Sequence, residues 1–290
     1  MRWRQGTRPA AEPAARVLLT GAAGGIGTAT TQALRRRGAA VIGLDLRASA
    51  PGIIACDIRD QSSVDNAVSA AVERLGGLDV LINNAGIGLA QSAGVRPGAD
   101  AFAVLDVNVL GAWRVTAAAI DTLRASNGRV VNVASGLAYL TMPFATAYCM
   151  SKRAVVAYSD ALRLEHGDAI TVTTVYPGYI RTGIHRESRE SGVQLEGLVP
   201  AERVEDAAQT LVRAALGPPR RDLATTRSGA VGYAALRLMP RSAVDALVRA
   251  RCRKAVRDGR FGTTQGMAAD FASRLAASPS RARRRRSASR

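Results

Sequence analysis

Cysteine is scarce in this chain, with three residues among 290. Cys56, Cys149 and Cys252 are far apart, and the sequence contains no Cys-x-x-Cys pair. An odd number of widely spaced cysteines supports neither a disulfide framework nor a structural zinc site. We therefore expect no metal centre, and reduced thiols are typical of a cytoplasmic protein.

Unbroken apolar runs and aromatic residues are also rare. No apolar run reaches the roughly 18 residues that a membrane-spanning helix needs. The short apolar stretch after the basic N-terminus is not typical of a signal peptide. Aromatic residues make up 4% of the chain and apolar residues 47%, so the core must consist mainly of alanine and aliphatic side chains.

Acidic residues are rare only towards the ends of the chain, and this accounts for most of the net charge of +17. Residues 17–226 contain 20 basic and 19 acidic residues, whereas residues 227–290 contain 16 basic and 3 acidic residues. An electrically neutral body does not suit a protein that binds phosphates along a duplex. We therefore expect no specific nucleic-acid partner.

Short β-branched and aliphatic runs alternate with longer segments of helical periodicity. Such strands are typical of a parallel sheet that is buried on both faces. The alternation predicts a doubly wound α/β fold of the Rossmann type, with a seven-stranded parallel sheet flanked by helices on both faces. The predicted strands are 16–20, 40–45, 52–55, 80–83, 129–133, 171–176 and 222–225. The predicted helices are 26–37, 62–75, 101–124, 147–166 and 204–216.

A glycine-rich turn at residues 20–27 follows the first predicted strand. Gly21 permits a sharp reversal, Gly25 lets the backbone approach a pyrophosphate, and Gly27 lets the next helix pack closely on the sheet. The helix N-terminus then offers free N–H groups to phosphates. Alone, such a turn is equally typical of a plain connection, but its position between the first strand and the first helix favours a dinucleotide site.

Acidic residues after the second and third strands bear on the choice of dinucleotide. Asp45 ends the second strand, where a carboxylate accepts hydrogen bonds from adenosine ribose hydroxyls and repels a 2′-phosphate. This favours NAD, while Arg47 is placed to partner a 2′-phosphate and leaves NADP open. Asp57 falls where the adenine ring would lie. The alternatives are that Asp45 caps a turn and that Asp57 is a solvated turn residue.

Tyr148 and Lys152 are four residues apart and so share one face of a helix. Hydride transfer to a carbonyl needs a proton donor, and a free phenol with a pKa near 10 is a poor one at neutral pH. We expect the Lys152 ammonium to lower the pKa of Tyr148. The chain has 2 lysines among its 40 basic residues, and Lys152 is the only one in the neutral body. This favours the interpretation that a compact positive charge is required at position 152 over the interpretation that the Tyr-Lys pair is accidental. Ser135, just past strand 129–133, is placed to hold a substrate oxygen.

Together these features resemble the classical short-chain dehydrogenase/reductase family over about residues 15–226. The glycine turn, an Asn-Asn-Ala-Gly segment at 83–86, the Tyr-x-x-x-Lys pair and a Pro-Gly segment within 176–182 occur in the family's order and spacing. The resemblance implies that Tyr148 is the general acid/base, Lys152 tunes it and binds ribose, Ser135 polarises the substrate oxygen, and Asn108 holds a water in the proton relay. It also implies a homodimer or homotetramer.

The same resemblance implies a set of contacts to NAD, or to NADP, along the carboxyl ends of the strands. These contacts are Gly21, Gly25, Ile26, Gly27, Asp45, Asp57, Ile58, Asn84, Ala85, Gly86, Tyr148, Lys152, Pro177, Gly178, Ile180 and Thr182.

The sequence divides the chain into four parts. These are a flexible lead (1–15), a dinucleotide-binding catalytic domain (16–226), a basic helical extension (227–277) and a disordered Arg/Ser tail (278–290).

Two apolar regions bear on the partners of such an enzyme. Residues 137–144 after Ser135 are strongly apolar and predict a lipophilic alcohol or ketone as the small-molecule substrate, unless they pack within the protein. Residues 233–238 and 243–256 carry apolar side chains at helical spacing beside several arginines. Such a helix either contacts an anionic membrane peripherally or packs on its own body with the arginines towards water.

Two functions remain open at this point. The first is a nicotinamide-dependent oxidoreductase that acts on a CH–OH group. The alternative is an NAD(P)-sensing protein on the same scaffold that contacts membrane or nucleic acid through its basic end. The presence of all four residues that match the family's catalytic groups favours the enzyme.

Overall fold

A computed structural model of the chain describes residues 14–181, 201–258 and 267–277. The predicted lead up to residue 13, the predicted tail 278–290 and the predicted cofactor contact Thr182 lie outside the described residues. The remaining predicted site residues are all described.

A seven-stranded parallel sheet forms the centre of the molecule, as the sequence predicts. Its strands are β1 (Arg16–Thr20), β2 (Ala40–Asp45), β3 (Ile53–Ala55), β4 (Val80–Asn83), β5 (Arg129–Val133), β6 (Thr171–Tyr176) and β9 (Asp222–Ala224). The strand order is β3-β2-β1-β4-β5-β6-β9, so the direction of winding reverses between β1 and β4. A short separate pair, β7 (Tyr179–Ile180) and β8 (Ala201–Glu202), lies outside the sheet. The reversal opens a crevice at the carboxyl ends of β1 and β4, where ligands bind in folds of this kind.

Helices cover both faces of the sheet. They are α1 (Gly25–Arg36), α2 (Gln61–Leu75), α3 (Ala99–Leu105), α4 (Ala112–Ala125), α5 (Thr146–His166), α6 (Val204–Leu216), α7 (Arg227–Leu238), α8 (Arg241–Arg257) and α9 (Met267–Ala277). Leu18 and Leu81 face α2, α4 and α5, whereas Val17, Leu19 and Ile82 face α1 and α6. Each fully buried aliphatic side chain of this kind contributes about 1.5–3 kcal/mol. The two apolar layers therefore fix the sheet that carries the site.

The predicted helix 101–124 is divided in the structure. A π-helical segment, Asp106–Gly111, lies between α3 and α4, and it contains Asn108. The extra residue of a π turn redirects side chains, and such turns occur frequently at functional sites. Among the described residues, the continuous helical run Ala99–Ala125 is long and apolar enough to cross a membrane by length and composition alone. Its apolar residues are interrupted by charges and it packs on the sheet through buried Val115 and Leu123, so it is a core helix of this fold.

The segment after the sheet packs on the rest of the chain. Val244, Val248 and Cys252 of α8 are buried in one cluster with Leu140 and Met142, which follow β5. Arg249 and Lys254 on the same helix are exposed. Of the two interpretations of this helix left open by the sequence, packing on its own body describes α8.

Candidate active site

The glycine turn links β1 to α1 in the conformation that the sequence predicts. Gly21 has a φ of +68°, which favours glycine, and a Cβ on Gly27 would lie 2.9 Å from the Cα of Ala22. Gly24 caps α1 without a side-chain hydrogen bond, and both Gly24 and Gly25 are exposed. The first N–H groups of α1 are thus left without a side-chain cap at an open surface. That arrangement fits a bound pyrophosphate.

Asp45 and Asp57 lie after neighbouring strands of the sheet. One Asp45 oxygen accepts a hydrogen bond from the Ala23 N–H at 2.9 Å, which places the carboxylate beside the glycine turn. Asp57 instead forms an ion pair with Arg59 at 2.6 Å, and this guanidinium holds the pKa of the Asp57 carboxyl below its ordinary value. Ile58 is buried beneath Gly111 of the π-helical segment. Asp45 is therefore the better placed of the two carboxylates to meet a ribose.

The Asn-Asn-Ala-Gly segment joins β4 to the glycine turn. The Asn84 side-chain amide donates to the main-chain oxygens of Thr20 (3.0 Å) and Gly21 (3.2 Å). The Thr20 hydroxyl accepts from the N–H groups of both Asn84 and Ala85 at 3.0 Å. The sequence reasoning missed Thr20, although a hydroxyl at the end of an apolar strand is the signal that would have found it. These bonds hold the ends of β1 and β4 together at the crevice.

Asn108 anchors the loop that follows Gly86. Its Oδ1 accepts from the Ile87 N–H at 2.8 Å, and its Nδ2 donates to the Ile87 carbonyl at 2.9 Å and to the Ser151 hydroxyl at 3.0 Å. A Cβ on Gly86 would lie 3.2 Å from Asn108 Oδ1 and 3.5 Å from Lys152 Nζ. The end of β4 is therefore brought next to Asn108 and Lys152, and a Cβ at Gly86 would make a tight contact with Asn108. Ser151 is a further site-supporting residue that the sequence reasoning missed.

Ser135, Tyr148 and Lys152 converge next to this loop. The Ser135 hydroxyl lies close enough to Tyr148 to lower the pKa of its phenol, and it accepts a hydrogen bond from the Leu137 N–H at 3.2 Å. Lys152 is almost fully buried, its Nζ donates to the Val133 carbonyl at 2.9 Å, and the same atom lies 5.6 Å from the centroid of the Tyr148 ring. The structure thus assembles a hydroxyl, a phenol and an ammonium at the carboxyl end of β5.

The pKa of Tyr148 shifts in the direction opposite to the one expected from the sequence. Burial raises the pKa of Tyr148 to about 12, and the nearby Ser135 hydroxyl offsets this only in part. Burial also lowers the pKa of Lys152 to about 8. Desolvation disfavours the charged form of each group, and it is the largest cause of both pKa shifts. At neutral pH, Tyr148 is therefore a protonated phenol beside a lysine that is still mostly charged.

The Pro-Gly segment after β6 completes the candidate site. The Gly136 N–H donates to the Pro177 carbonyl at 2.9 Å, which ties this segment to the residues after Ser135. Gly178 donates its N–H to Glu202 at 2.8 Å, and Ile180 pairs with Glu202 between β7 and β8. Sequence reasoning missed Glu202, because nothing in its local pattern indicates where the residue folds.

The apolar residues predicted to line the substrate site fall into a buried group and a partly buried group. Leu137, Leu140 and Met142 are buried against α8, which is the packing alternative left open by the sequence. Phe144 and Tyr148 belong to the same cluster but are only partly buried. The apolar surface that remains near the phenol is therefore smaller than the sequence alone indicates.

Comparison with known proteins agrees with this geometry. The family model for short chain dehydrogenases matches residues 15–192. The oxidoreductase UcpA of Salmonella typhimurium is 33% identical over 181 residues, which cover 57% of this chain and 69% of that protein. D-threitol dehydrogenase of Mycolicibacterium smegmatis is 31% identical over 204 residues, which cover 64% of this chain and 78% of that protein.

A solved structure extends the likeness to the fold. A short chain dehydrogenase from Burkholderia cenocepacia in complex with NADP superposes with a TM-score of 0.68 at 25% identity, over 81% of this chain and 98% of that one. The family match covers more than half of the chain, and the sheet and crevice agree with it. The chain therefore belongs to the short-chain dehydrogenase/reductase family and is a nicotinamide-dependent oxidoreductase that acts between alcohol and carbonyl groups.

Proposed function

We propose that Tyr148 is the general acid/base of this oxidoreductase, with Ser135 and Lys152 as its partners. The convergence of the three side chains beside Gly86 carries the proposal. When the cofactor is bound, its nicotinamide ring supplies or accepts the hydride. In the reductive direction, Ser135 hydrogen-bonds the substrate oxygen, and Tyr148 transfers its proton to that oxygen as the carbonyl carbon is reduced. Oxidation returns the same proton to the phenolate.

Lys152 and Asn108 have supporting roles in this scheme. The Lys152 ammonium stabilises the phenolate that remains after proton transfer and binds the nicotinamide ribose. The side-chain amide of Asn108 is already engaged with Ile87 and Ser151, so we assign its contact with a relay water to its main-chain carbonyl. The proton lost from Tyr148 is replaced from solvent through that water.

The remaining predicted residues form the proposed cofactor site. The uncapped start of α1, with Gly25 and Ile26, receives the pyrophosphate, and Asp45 receives the adenosine ribose. Asp57 and Ile58 would hold the adenine, and Pro177, Gly178 and Ile180 would hold the nicotinamide, together with Thr182 by family resemblance alone. Because Asp45 repels a 2′-phosphate, we propose that NAD is preferred over NADP.

We propose a lipophilic alcohol or ketone as the substrate. The cluster against which Tyr148 packs is apolar, and it includes the partly buried side chains of Ala90, Phe144, Leu236 and Met239. Burying apolar ligand surface against such side chains stabilises a complex by roughly 25 cal/mol per Å². This proposal is independent of the assignment of Tyr148, because a polar substrate would use the same acid.

The outer face of α4 and α5 supports the proposal of a homodimer, through contact with a second copy of the chain. Trp113 on α4 is 56% exposed, and Met150 and Leu164 on α5 are 53% and 88% exposed. Exposed or partly exposed alanines at 154, 157 and 161 lie between the last two at helical spacing. A contiguous apolar face on two adjacent helices is typical of an interface between subunits. A homotetramer requires a further surface that this face does not supply.

We assign the proposed peripheral membrane contact to α7, because α8 packs on the body of the protein. Val231 and Leu238 of α7 are 72% and 88% exposed, the exposed Arg227 begins the helix, and the exposed Arg241 begins the helix that follows it. We propose that this helix contacts anionic membrane surfaces from the cytoplasm. Co-sedimentation with phosphatidylserine vesicles tests it, and a Leu238→Glu variant that sediments as the wild type does would refute it.

The reaction is tested by following reduced nicotinamide absorbance with purified protein and a panel of alcohols and ketones. We expect turnover with at least one apolar member and tighter binding of NAD than of NADP. Tight cofactor binding without turnover across the whole panel would contradict the proposed function.

A further inference from the structure

Two glycines beside the site have no conformational reason to be glycine. Gly136 follows Ser135, Gly178 follows Pro177, and a hydrogen bond from the Gly136 N–H to the Pro177 carbonyl joins them. Neither glycine has a positive φ. Neither φ therefore requires glycine, and what packs against each position gives a reason for it.

At Gly136, the neighbour is Tyr233 of α7. A Cβ on Gly136 would lie 2.7 Å from Cζ of Tyr233 and still closer to its hydroxyl oxygen. The Tyr233 ring also contacts Tyr139 and Tyr176, with ring centroids 5.5 and 6.2 Å away. The ring is therefore held by two aromatic neighbours and has little freedom to move away from a new methyl group.

At Gly178, the neighbour is Glu202. A Cβ on Gly178 would lie 2.6 Å from Oε1 of Glu202. The Glu202 carboxylate accepts hydrogen bonds from the Gly178 N–H at 2.8 Å, from the Thr225 hydroxyl, and from the Thr226 hydroxyl at 3.1 Å. Thr226 in turn caps α7 by accepting from the Gly229 N–H at 3.0 Å. One carboxylate thus connects the Pro-Gly segment to the start of the helix that carries Tyr233.

Both side chains come from outside the part of the chain that matches the family. That match ends at residue 192, whereas the two glycines lie within it. We propose that Glu202 and Tyr233 are positioning residues of the active site: they hold α7 against Gly136 and Gly178 and so fix Ser135 relative to the Pro-Gly segment. We call this pair of contacts the α7 clamp. The inference rests on the proposed function to the extent that Ser135 binds the substrate oxygen.

A double-mutant cycle on Gly136 and Tyr233 tests the α7 clamp. Gly136→Ala drives a methyl group into the ring and displaces Ser135, so we expect kcat to fall by on the order of 100-fold, because catalysis is that sensitive to misplacement of about 1 Å. In a Tyr233→Ala background the methyl group has space, so the same Gly136→Ala change should then have almost no effect. The dissociation constant for reduced cofactor should stay constant throughout the cycle, since Ser135 is proposed to bind the substrate oxygen and not the cofactor.

Gly232→Ala is the matched control, because it adds the same methyl group to α7, one residue from Tyr233, where no atom lies within 4 Å. We expect it to retain wild-type kcat. Equal kcat in Gly136→Ala and Gly232→Ala, or an equal effect of Gly136→Ala in both backgrounds, would overturn the α7 clamp.

Glu202→Ala keeps the test informative if Gly136→Ala does not fold. It removes the acceptor of the Gly178 N–H and of the Thr225 and Thr226 hydroxyls. Glutamine would not do so, because its oxygen can face Gly178 while its NH₂ group donates to a hydroxyl. We expect weaker binding of reduced cofactor, measured by fluorescence, because the Pro-Gly segment faces the nicotinamide. Unchanged binding would refute the role of Glu202. Absence of turnover in the wild type would instead refute the proposed function, so the two failures are distinguishable.

Discussion

The ammonium of Lys152 donates to the Val133 carbonyl at 2.9 Å while lying 5.6 Å from the centroid of the Tyr148 ring. The hydrogen-bond acceptor of the charged Lys152 side chain is thus a main-chain oxygen at the end of β5 and not a carboxylate. Among the described residues, no ion pair satisfies this buried group. The charge is therefore held by dipoles only, which leaves it available to a phenolate and keeps its pKa low.

Tyr148→Phe should remove turnover and leave the cofactor bound. The change deletes the proton donor but keeps the ring, so we expect kcat to fall by on the order of 10²–10⁴-fold. Steady-state kinetics and a fluorescence titration with reduced cofactor measure the two effects. Wild-type turnover in the variant would remove Tyr148 from the proposed mechanism.

Replacing Lys152 by methionine should change the way in which the stability of the protein depends on pH. Burial lowers the pKa of Lys152 from 10.5 to about 8, so between these values the unfolded chain holds a proton that the native state lacks. The contribution of Lys152 to stability therefore rises as pH increases through this window. We expect the melting temperature of Lys152→Met minus that of the wild type to decrease between about pH 7 and about pH 10. A difference in melting temperature that stays constant with pH would contradict the lowered pKa of Lys152.

Asp45→Ala should weaken the preference for NAD. In the proposed cofactor site, the carboxylate that accepts from the Ala23 N–H would repel a 2′-phosphate, so its removal should bring the dissociation constants for NAD and NADP closer together. Arg47→Ala is the control and should leave the ratio unchanged. If the wild type prefers NADP and Arg47→Ala abolishes that preference, the assignment of Asp45 is wrong.

Asn108→Ala should reduce both stability and turnover. It leaves the Ile87 N–H and carbonyl without the partners they have at 2.8 and 2.9 Å. Because Ile87 is only partly buried, water replaces part of these bonds, so we expect a loss of about 1 kcal/mol, the lower end of the cost of an unpaired polar group. Urea denaturation measures the loss in the free energy of unfolding. Because Asn108→Asp keeps the acceptor for the Ile87 N–H, it should retain more stability, and equal losses in both variants would argue against these contacts.

Leu164→Arg should dissociate the proposed dimer. Leu164 is 88% exposed at the end of the apolar face on α5, and a buried charge there would be unpaired. Leu238→Arg is the matched control, because Leu238 is also 88% exposed but lies on α7. We expect light scattering after size-exclusion chromatography to give a monomer for the first variant and a dimer for the second. If both variants are dimers, or if the wild type is a monomer, the proposed interface is refuted.

Strands and the glycine turn were predictable because their causes are local. β5 and β6 occupy the predicted residues, since short runs of valine and threonine between polar turns favour a buried strand. The convergence of Ser135, Tyr148 and Lys152 also followed from sequence, because parallel strands bring their carboxyl ends to one edge. The order and spacing of these segments thus contain most of the information about the site.

Properties that depend on distance in space were not predictable in the same way. The direction in which the pKa of Tyr148 shifts depends on burial, which no local sequence pattern reveals. The π-helical segment at Asn108 arises where the helix must meet both Ile58 and Ile87. Glu202 and Tyr233 reach the site from far along the chain, and only the fold brings them to Gly178 and Gly136.

Both outer strands of the central sheet are very short. β3 and β9 each contain three residues and pair on one side only within the sheet. So short an edge presents few unpaired N–H and C=O groups for a strand of another molecule to extend. Fibrillar growth by edge-to-edge stacking is thereby discouraged at both ends of the sheet, even in a concentrated solution.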